Sequence, residues 1–307
     1  IYFFLTNEER DINREIKTVD LTGNEESRLL GDLIFNEVLR EQRKHRYSVN
    51  KMDFPFNRIC DFIPVGTRMD GALQVSFITP LNEDYDHYDN ARCMMDSIAE
   101  EGSIIIRLGN NETLGRELSI HIQTDKYVRY KSDGSIPDTT KRILRDIAED
   151  NLERRNRLVK LLAEMITDAD YFANGQKLTM KASTPLALLT ESLEYLIHNT
   201  FTKMGYLKHV HSEPLREVQA ILRSNDIGQQ TLKLKDKDGN KLAVEEVRNY
   251  IDLSDKAHHR IILNDLLEKK FTRRPYGWTV EDTLIILARL IVLCEINLVM
   301  DGNIVAM

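Results

Sequence analysis

The stretch from residue 138 to residue 169 carries the longest helical pattern in the chain and constrains its fold more than any other feature. Apolar residues recur there at spacings of three and four, whereas Arg, Glu, Lys and Asp fill the opposite face. This periodicity predicts one amphipathic helix, about 50 Å long at ~1.5 Å per residue. Leu152 lies among charged residues, and we expect it to be more exposed than the second half of the helix. We expect that half to be buried against the helices that follow, through Leu161, Leu162, Met165 and Ile166.

The residues before this helix predict a small mixed α/β layer. Residues 71–79 alternate apolar and polar side chains and residues 103–108 are a short apolar run, so both are predicted strands. Between them, residues 89–101 are predicted to form a helix that ends at Gly102. A strand, a helix and a strand in this order are typical of such a layer. Upstream, we predict a strand at residues 2–5 and helices at 8–16 and 24–44.

The residues after the long helix predict a helical region with a winged-helix-like end. Asn174-Gly175 favours a hairpin turn, and Pro185 and Pro214 are placed to begin helices. Residues 231–242 are lysine-rich and are predicted to be a solvated hairpin or loop. Helices at 243–251, 254–271 and 279–294, followed by a hairpin at Asp301-Gly302, give the order of a winged helix.

These elements together predict an α+β fold that is mostly helical and has three parts. Residues 1–130 are the mixed α/β part, and residues 131–240 are the long-helix strut with a helical domain. Residues 241–307 are the winged-helix-like module. A chain of 307 residues exceeds one average domain and contains enough apolar residues for more than one core.

Charge and cysteine usage exclude several classes of protein. The net charge of −7 does not hold the chain on nucleic acid, so any such contact requires a local basic patch. Three widely separated cysteines argue against a disulfide framework and a thiolate metal site, and they fit a reduced intracellular compartment. No apolar run is long enough to cross a bilayer. We therefore expect a cytoplasmic protein without a membrane partner.

The sequence predicts no catalytic, cofactor-binding or metal-ligating residue. A P-loop requires Gly-Lys-Ser/Thr, and none of the 14 glycines is followed by Lys. The acidic residues at 83–89 are better interpreted as a surface loop in which Asp89 caps the next helix. His209 and His211 have no third ligand nearby in sequence, and residues 236–240 resemble a turn more than a calcium loop.

One basic cluster near the C-terminus is a candidate contact surface for nucleic acid or a partner. The helix predicted at 279–294 would enter a DNA groove, but it is almost wholly apolar and lacks the side chains that read bases. We therefore favour packing or a protein partner, with nonspecific phosphate contact as the alternative. Trp278 is predicted to be buried beneath a Pro-Tyr-Gly turn. The candidate contact residues are Lys256, His259, Arg260, Lys269, Lys270, Arg273, Arg274 and Tyr276.

Five stretches together resemble the BrxC family, the large P-loop ATPases of bacterial BREX phage defence, with the related PglY proteins. Their specificity comes from their order along the chain, because none is a chemical signature. One of them is Asn151-x-x-Arg154-Arg155 in the long helix. The others are FLTNEERDINREI at 4–16, TDKYVRYK at 124–131, YFANGQK at 171–177 and FTRRPYGW at 271–278.

The resemblance implies an internal fragment downstream of a nucleotide-binding core. ATP and Mg²⁺ are then expected only for the full-length ATPase, because the family's P-loop motif is absent from this sequence. The implied role is a non-catalytic linker and interaction segment that contributes to phage resistance. Its implied partners are other BREX components or further copies of itself. The alternative is a nucleic-acid-binding module that contacts DNA through the basic C-terminal region.

Overall fold

The computed structural model describes residues 2–49, 51–70, 72–132, 136–208, 213–223, 240–300 and 302–304. For residues 2–6 it describes the backbone alone. The chain forms an N-terminal unit, residues 1–197, and a C-terminal unit, residues 198–307. The sequence-based boundaries after residues 130 and 240 do not coincide with this division. One reason is that a strand at Asp170–Ala173 pairs with one at Ser103–Arg107. Another is that the helix Pro214–Arg223 packs against the helix Val280–Val292.

The N-terminal unit is built on a mixed sheet to which, within the described residues, seven strands contribute. The strand order is β1-β2-β4-β5-β6-β7, and β3 pairs with β2. Strands β2, β4 and β5 are parallel, whereas β1, β6 and β7 run antiparallel to their neighbours. The strands are β1 (Lys44–Arg46), β2 (Asp53–Cys60), β3 (Ile63–Pro64), β4 (Leu73–Ile78), β5 (Ser103–Arg107), β6 (Asp170–Ala173) and β7 (Gln176–Lys177).

Helices precede, connect and follow the strands of this sheet. The helix between β4 and β5 is confirmed, and its N-cap is Asp89, which accepts from the Arg92 backbone N–H at 2.8 Å. The hairpin turn at Asn174-Gly175 is also confirmed. The helices are α1 (Tyr2–Lys17), α2 (Glu25–Asp32), a first π-helix (Leu33–Val38), α3 (Asn90–Ala99), α4 (Leu114–Ser132), α5 (Asp138–Thr167) and α6 (Pro185–Thr200).

Both faces of the sheet are covered, as the nearly continuous burial of β4 requires. Phe77 meets Phe35 of the first π-helix edge to face at 5.3 Å. The next residue, Ile78, points to the other face, where it clusters with Cys93 of α3 and Phe172 of β6. The parallel strands are therefore buried between α2 with the π-helix on one side and α3 on the other.

The long helix is confirmed as α5, although its packing partners differ from the predicted ones. Leu162, Met165 and Ile166 are buried, Leu161 is half-buried, and Leu152 is 60% exposed. However, α5 packs against α4 and the first π-helix, which precede it in the chain. The prediction that later helices would cover it was wrong in this respect. Asn151 contacts His121 and Arg154 contacts Glu117, so α4 and α5 run antiparallel along their shared face.

Two predictions for the beginning of the chain were wrong. Tyr2 to Leu5 belong to α1, not to a strand, because the apolar run continues into the helical spacing of Ile12 and Ile16, which are buried. The helix predicted at 24–44 ends at Val38, and Arg40 and Glu41 adopt positive φ angles that break it. Its basic end then forms β1, paired with β2.

The C-terminal unit is helical and ends in a short hairpin. The predicted helix start at Ser254 was wrong, because Ser254 lies inside a helix that continues to Lys256, and the chain then breaks at His258, whose φ is positive. The elements are a 3₁₀ turn (Met204–Tyr206), α7 (Pro214–Arg223), α8 (Lys241–Lys256), α9 (Leu263–Asp265) with a second π-helix (Leu266–Lys270), α10 (Val280–Val292), β8 (Val299–Met300) and β9 (Asn303–Ile304).

Trp278 is the centre of the C-terminal core, as predicted. Its side chain is 1% exposed and stacks on Phe271 with ring centroids 5.1 Å apart and an interplanar angle of 5°. Its indole N–H donates to the backbone oxygen of Lys203 at 3.2 Å. Gly277 adopts a φ of 64°, a conformation that favours glycine and aims the ring inward.

Candidate interaction surface

The structure exposes most of the basic residues that the sequence singles out. Lys256 ends α8, and His259 and Arg260 follow in the break before α9. Lys269 and Arg273 are exposed on and after the second π-helix. Within the described residues, Lys269 pairs with Asp265 at 2.6 Å, whereas no ion pair is found for Lys256, Arg260 or Arg273. The side chains of Lys256, Arg260 and Arg273 are therefore available to solvent and to a charged partner.

The other basic members of the cluster are partly used inside the unit. Lys270 is half-buried, and its ammonium lies 4.6 Å from the ring centroid of Tyr250 and 5.7 Å from that of Tyr276. Arg274 is half-buried and precedes a cis peptide bond to Pro275. Cation–π contacts of this kind hold a lysine over the aromatic core. Lys270 is thus less available than its neighbours to a partner.

Tyr276 is a core residue and offers no ring face to a partner. Its side chain is 5% exposed, and its hydroxyl donates to Glu246 at 2.8 Å. Burial and this acceptor raise the pKa of the Tyr276 phenol. Burial also acts to raise the pKa of Glu246, but hydrogen bonds from Lys203 and Tyr276 hold it below its ordinary value. The structure thus places Tyr276, one of the candidate contact residues, inside the core of the C-terminal unit.

The helix that would read DNA in a winged helix, α10, is almost entirely buried. Thr279 caps it by accepting from the backbone N–H of Asp282 at 3.0 Å. Asp282 and Arg289 are themselves 3% and 6% exposed. Burial lowers the pKa of the Arg289 guanidinium, and Glu217 of α7, 3.7 Å away, acts in the opposite direction. Asp282 and Arg289 are thus buried within the unit and are not presented to a base edge.

An apolar groove of about 730 Å³ opens on the same unit. Its walls come from α7, the end of α8, the segment around α9, α10 and the β8–β9 hairpin. Of the described residues that line it, Arg260 is the one with a charged side chain. Beside it the hairpin exposes Val299, Met300 and Ile304, each by more than half. Sequence reasoning missed the groove, because its walls come from stretches far apart in the chain. The apolar residues of the hairpin were the one sequence signal that could have indicated it.

The Asn151-x-x-Arg154-Arg155 motif holds the long helix to its neighbours. Asn151 is buried and donates to a backbone oxygen of α4 at 3.1 Å. Arg154 donates to Glu117 of α4 at 3.2 Å. Arg155 forms an ion pair with Glu37 of the first π-helix. All three residues of the motif therefore have a structural role inside the N-terminal unit, through packing, hydrogen bonds and an ion pair.

In the part of the chain that the structure describes, no group of three or more His, Cys, Asp or Glu is arranged to hold a metal ion. His209, His211, most of residues 231–242 and Asp301 lie outside the described residues. Among the described helices, none combines the length and the apolar character needed to cross a bilayer.

Two models of protein families match the chain. One is described as the BREX ATP-binding protein BrxC 4th domain with six-stranded beta sheet, and it matches residues 19–196. The other is described as the BREX ATP-binding protein BrxC winged helix-turn-helix domain, and it matches residues 203–307. These ranges fall within the two structural units, and the second confirms the winged-helix end while starting it before residue 241. No solved structure matches the chain.

Proposed function

Because the chain belongs to the BrxC family of BREX ATP-binding proteins, we propose that it is a non-catalytic interaction and linker segment of a larger cytoplasmic ATPase that contributes to phage resistance. The N-terminal unit supplies a mixed sheet and the long helix α5, which packs on α4 and the first π-helix. The C-terminal unit supplies the surface on which another BREX component docks.

The observation that carries this proposal is the contrast between α10 and the hairpin that follows it. In a base-reading winged helix, the third helix exposes polar side chains to the major groove. Here that helix is buried, and the β8–β9 hairpin instead presents Val299, Met300 and Ile304, which are 58%, 67% and 65% exposed. Three large apolar side chains on one short hairpin favour a protein partner, because solvent exposure of such a patch is unfavourable.

A test of the proposal is phage plating on cells that carry a BREX system. The full-length ATPase would carry Met300→Asp together with Ile304→Asp, two exposed positions whose substitution leaves the core intact. We expect phage resistance to be lost while the protein level and the ATPase activity of the full-length protein are retained. Leu152→Asp, at an equally exposed apolar position on α5, is the matched control and should keep resistance. Full resistance in the hairpin variant would contradict the proposal.

The proposal assigns ATP and Mg²⁺ to the full-length protein and not to this segment. A triphosphate needs a nest of backbone N–H groups and cations, and the sequence offers no Gly-rich turn followed by Lys. Titration calorimetry of the 307-residue chain with Mg-ATP should give no heat of binding. Saturable binding in the micromolar range would assign a nucleotide site to this segment.

The second candidate is a nucleic-acid-binding module, and the exposure of Lys256, Arg260 and Arg273 favours it. Phosphate contacts release counterions, so their affinity falls steeply as salt rises. Anisotropy of a labelled DNA duplex with the 307-residue chain, measured from low to physiological salt, separates the two functions. A steep salt dependence that disappears when these three residues are changed to Glu would support DNA binding. Absence of binding at low salt supports the interaction segment.

A further inference from the structure

An apolar stripe of α10 lines the groove of the C-terminal unit. Leu284, Leu287, Ala288 and Ile291 of α10 line it, at the spacing i, i+3, i+4 and i+7. Leu287 and Ala288 are buried at its base, with Ala288 packed against Val218 and Ile221 of α7, whereas Leu284 and Ile291 are half-buried at its two ends. This stripe extends over about two helical turns, or ~10 Å. A second helix laid along the groove would contact α10 mainly through Leu284 and Ile291, the two half-buried members of the stripe.

The rim of the groove combines exposed apolar side chains with one cation. Leu222 of α7, Leu263 of α9 and Val299 of β8 line it and are 37%, 41% and 58% exposed. Arg260 also lines it and is exposed, and no ion pair is found for its guanidinium within the described residues. Among the described residues that line the groove, none is acidic. Its charge is therefore complementary to a carboxylate.

We propose that this groove binds an amphipathic α-helix of a partner protein. About two turns of its apolar face fill the groove, and a Glu or Asp beside that face pairs with Arg260. The proposal rests on the proposed function and specifies the chemistry of the docking partner. Nucleic acid does not fit, because an apolar floor gives nothing to phosphates. A symmetric pair of chains does not fit either, because two concave grooves leave each other unfilled.

The test uses a fluorescent amphipathic peptide and the 307-residue chain. The peptide has about 14 residues, enough for partial helicity, with Leu at i, i+3, i+4 and i+7 and Glu on both flanks of that stripe. A scrambled peptide of the same composition and a peptide with Lys in place of Glu are the controls. Anisotropy should show saturable binding of the Glu peptide and at least tenfold weaker binding of the scrambled one.

Variants of the chain locate the binding site. Val299→Asp places a carboxylate in the apolar wall and should weaken binding by more than about tenfold. Arg260→Glu should weaken binding of the Glu peptide by about threefold and strengthen binding of the Lys peptide by a similar factor. Leu253→Asp and Arg273→Glu change exposed residues that do not line the groove, and both should bind as the unchanged chain does. Trp278 emission, unchanged in every variant, checks that the unit remains folded.

Three results would overturn the proposal. In the first, the groove variants bind as the two control variants do. In the second, the scrambled peptide binds as tightly as the periodic one. In the third, sedimentation shows a concentration-dependent dimer of the chain that Val299→Asp abolishes, which would make a second copy the occupant.

The proposal and the proposed function can fail separately. If peptide binding follows the groove variants, but the full-length ATPase with Met300→Asp and Ile304→Asp keeps full phage resistance, the groove stands and the proposed function fails. If the hairpin variant loses resistance while Val299→Asp leaves peptide binding unchanged, the proposed function stands and the groove is excluded. Neither Met300 nor Ile304 lines the groove, so the two experiments are independent.

Discussion

Trp278→Ala should unfold the C-terminal unit before the rest of the chain. The ring is 1% exposed, lies parallel to Phe271 at 5.1 Å and meets Tyr276 at the same distance. Truncation of a buried Trp costs about 3–5 kcal/mol. We expect the upper part of that range, because the aromatic stack and the hydrogen bond to the Lys203 backbone are lost together. Such a loss is about a third or more of the stability of an ordinary domain.

Calorimetry of the 307-residue chain is the assay. Each kcal/mol shifts the melting temperature of a unit of this size by about 4 °C, so a loss of about 4–5 kcal/mol should lower the transition of the C-terminal unit by about 16–20 °C. The transition of the N-terminal unit, whose residues end at 197, should stay in place. Trp278→Phe keeps an aromatic ring over Phe271 and loses mainly the indole donor, and it should cost about 1–2 kcal/mol. A loss below about 1 kcal/mol for Trp278→Ala, or an equal shift of both transitions, would refute the reasoning.

Three further changes test the packing of each unit. Leu162→Ala, at a fully buried position of α5, should lower the free energy of unfolding by about 2–5 kcal/mol. Leu152→Ala, at a position that is 60% exposed, should change it by no more than about 0.5 kcal/mol. Urea denaturation followed by circular dichroism measures both changes, and equal losses would contradict the assignment of the buried stripe. Gly277→Ala should cost about 1–3 kcal/mol, because its φ is 64° and the added Cβ would lie 2.7 Å from Phe201 Cδ1; an unchanged urea midpoint would show that Phe201 moves freely. Because the Tyr276 phenol has a raised pKa in the folded chain, it stabilises the C-terminal unit at pH values below the ordinary tyrosine pKa of about 10. This stabilisation is lost as the pH rises through the pKa of the folded state. Tyr276→Phe should therefore flatten the alkaline fall of the urea midpoint, followed by Trp278 emission from pH 8 to 11, and an unchanged slope would place that titration elsewhere.

The long, periodic and capped elements could be predicted from the sequence. The stripe of α5 fixes both its helical state and its buried half, because Leu162 and Ile166 recur at helical spacing whereas Leu152 falls among charges. Capping places α3 and α10 for the same local reason, since Asp89 and Thr279 each accept a backbone N–H of the first turn. Local patterns of this kind do not depend on which other elements the chain brings near.

Features that depend on distant residues could not be predicted. The run at 2–5 reads as a strand by composition, and only its continuation into the helix that buries Ile12 and Ile16 makes it helical. The break at His258 divides a pattern that is continuous in sequence, because the chain must turn to bring the second π-helix onto the core. The groove needs five separate stretches to meet. The sequence identifies each basic residue. Packing decides which of them face solvent and which cover aromatic rings.

The central claim is that the C-terminal unit is an interaction surface, and quantitative co-purification tests it most directly. The full-length ATPase, tagged and expressed with the other BREX components, would be compared with its Met300→Asp, Ile304→Asp variant at equal recovery and equal ATPase activity. We expect the recovery of at least one BREX component to fall by about tenfold or more in the variant, since a charge in an apolar interface is strongly unfavourable. Recovery of every component in unchanged amounts would contradict it.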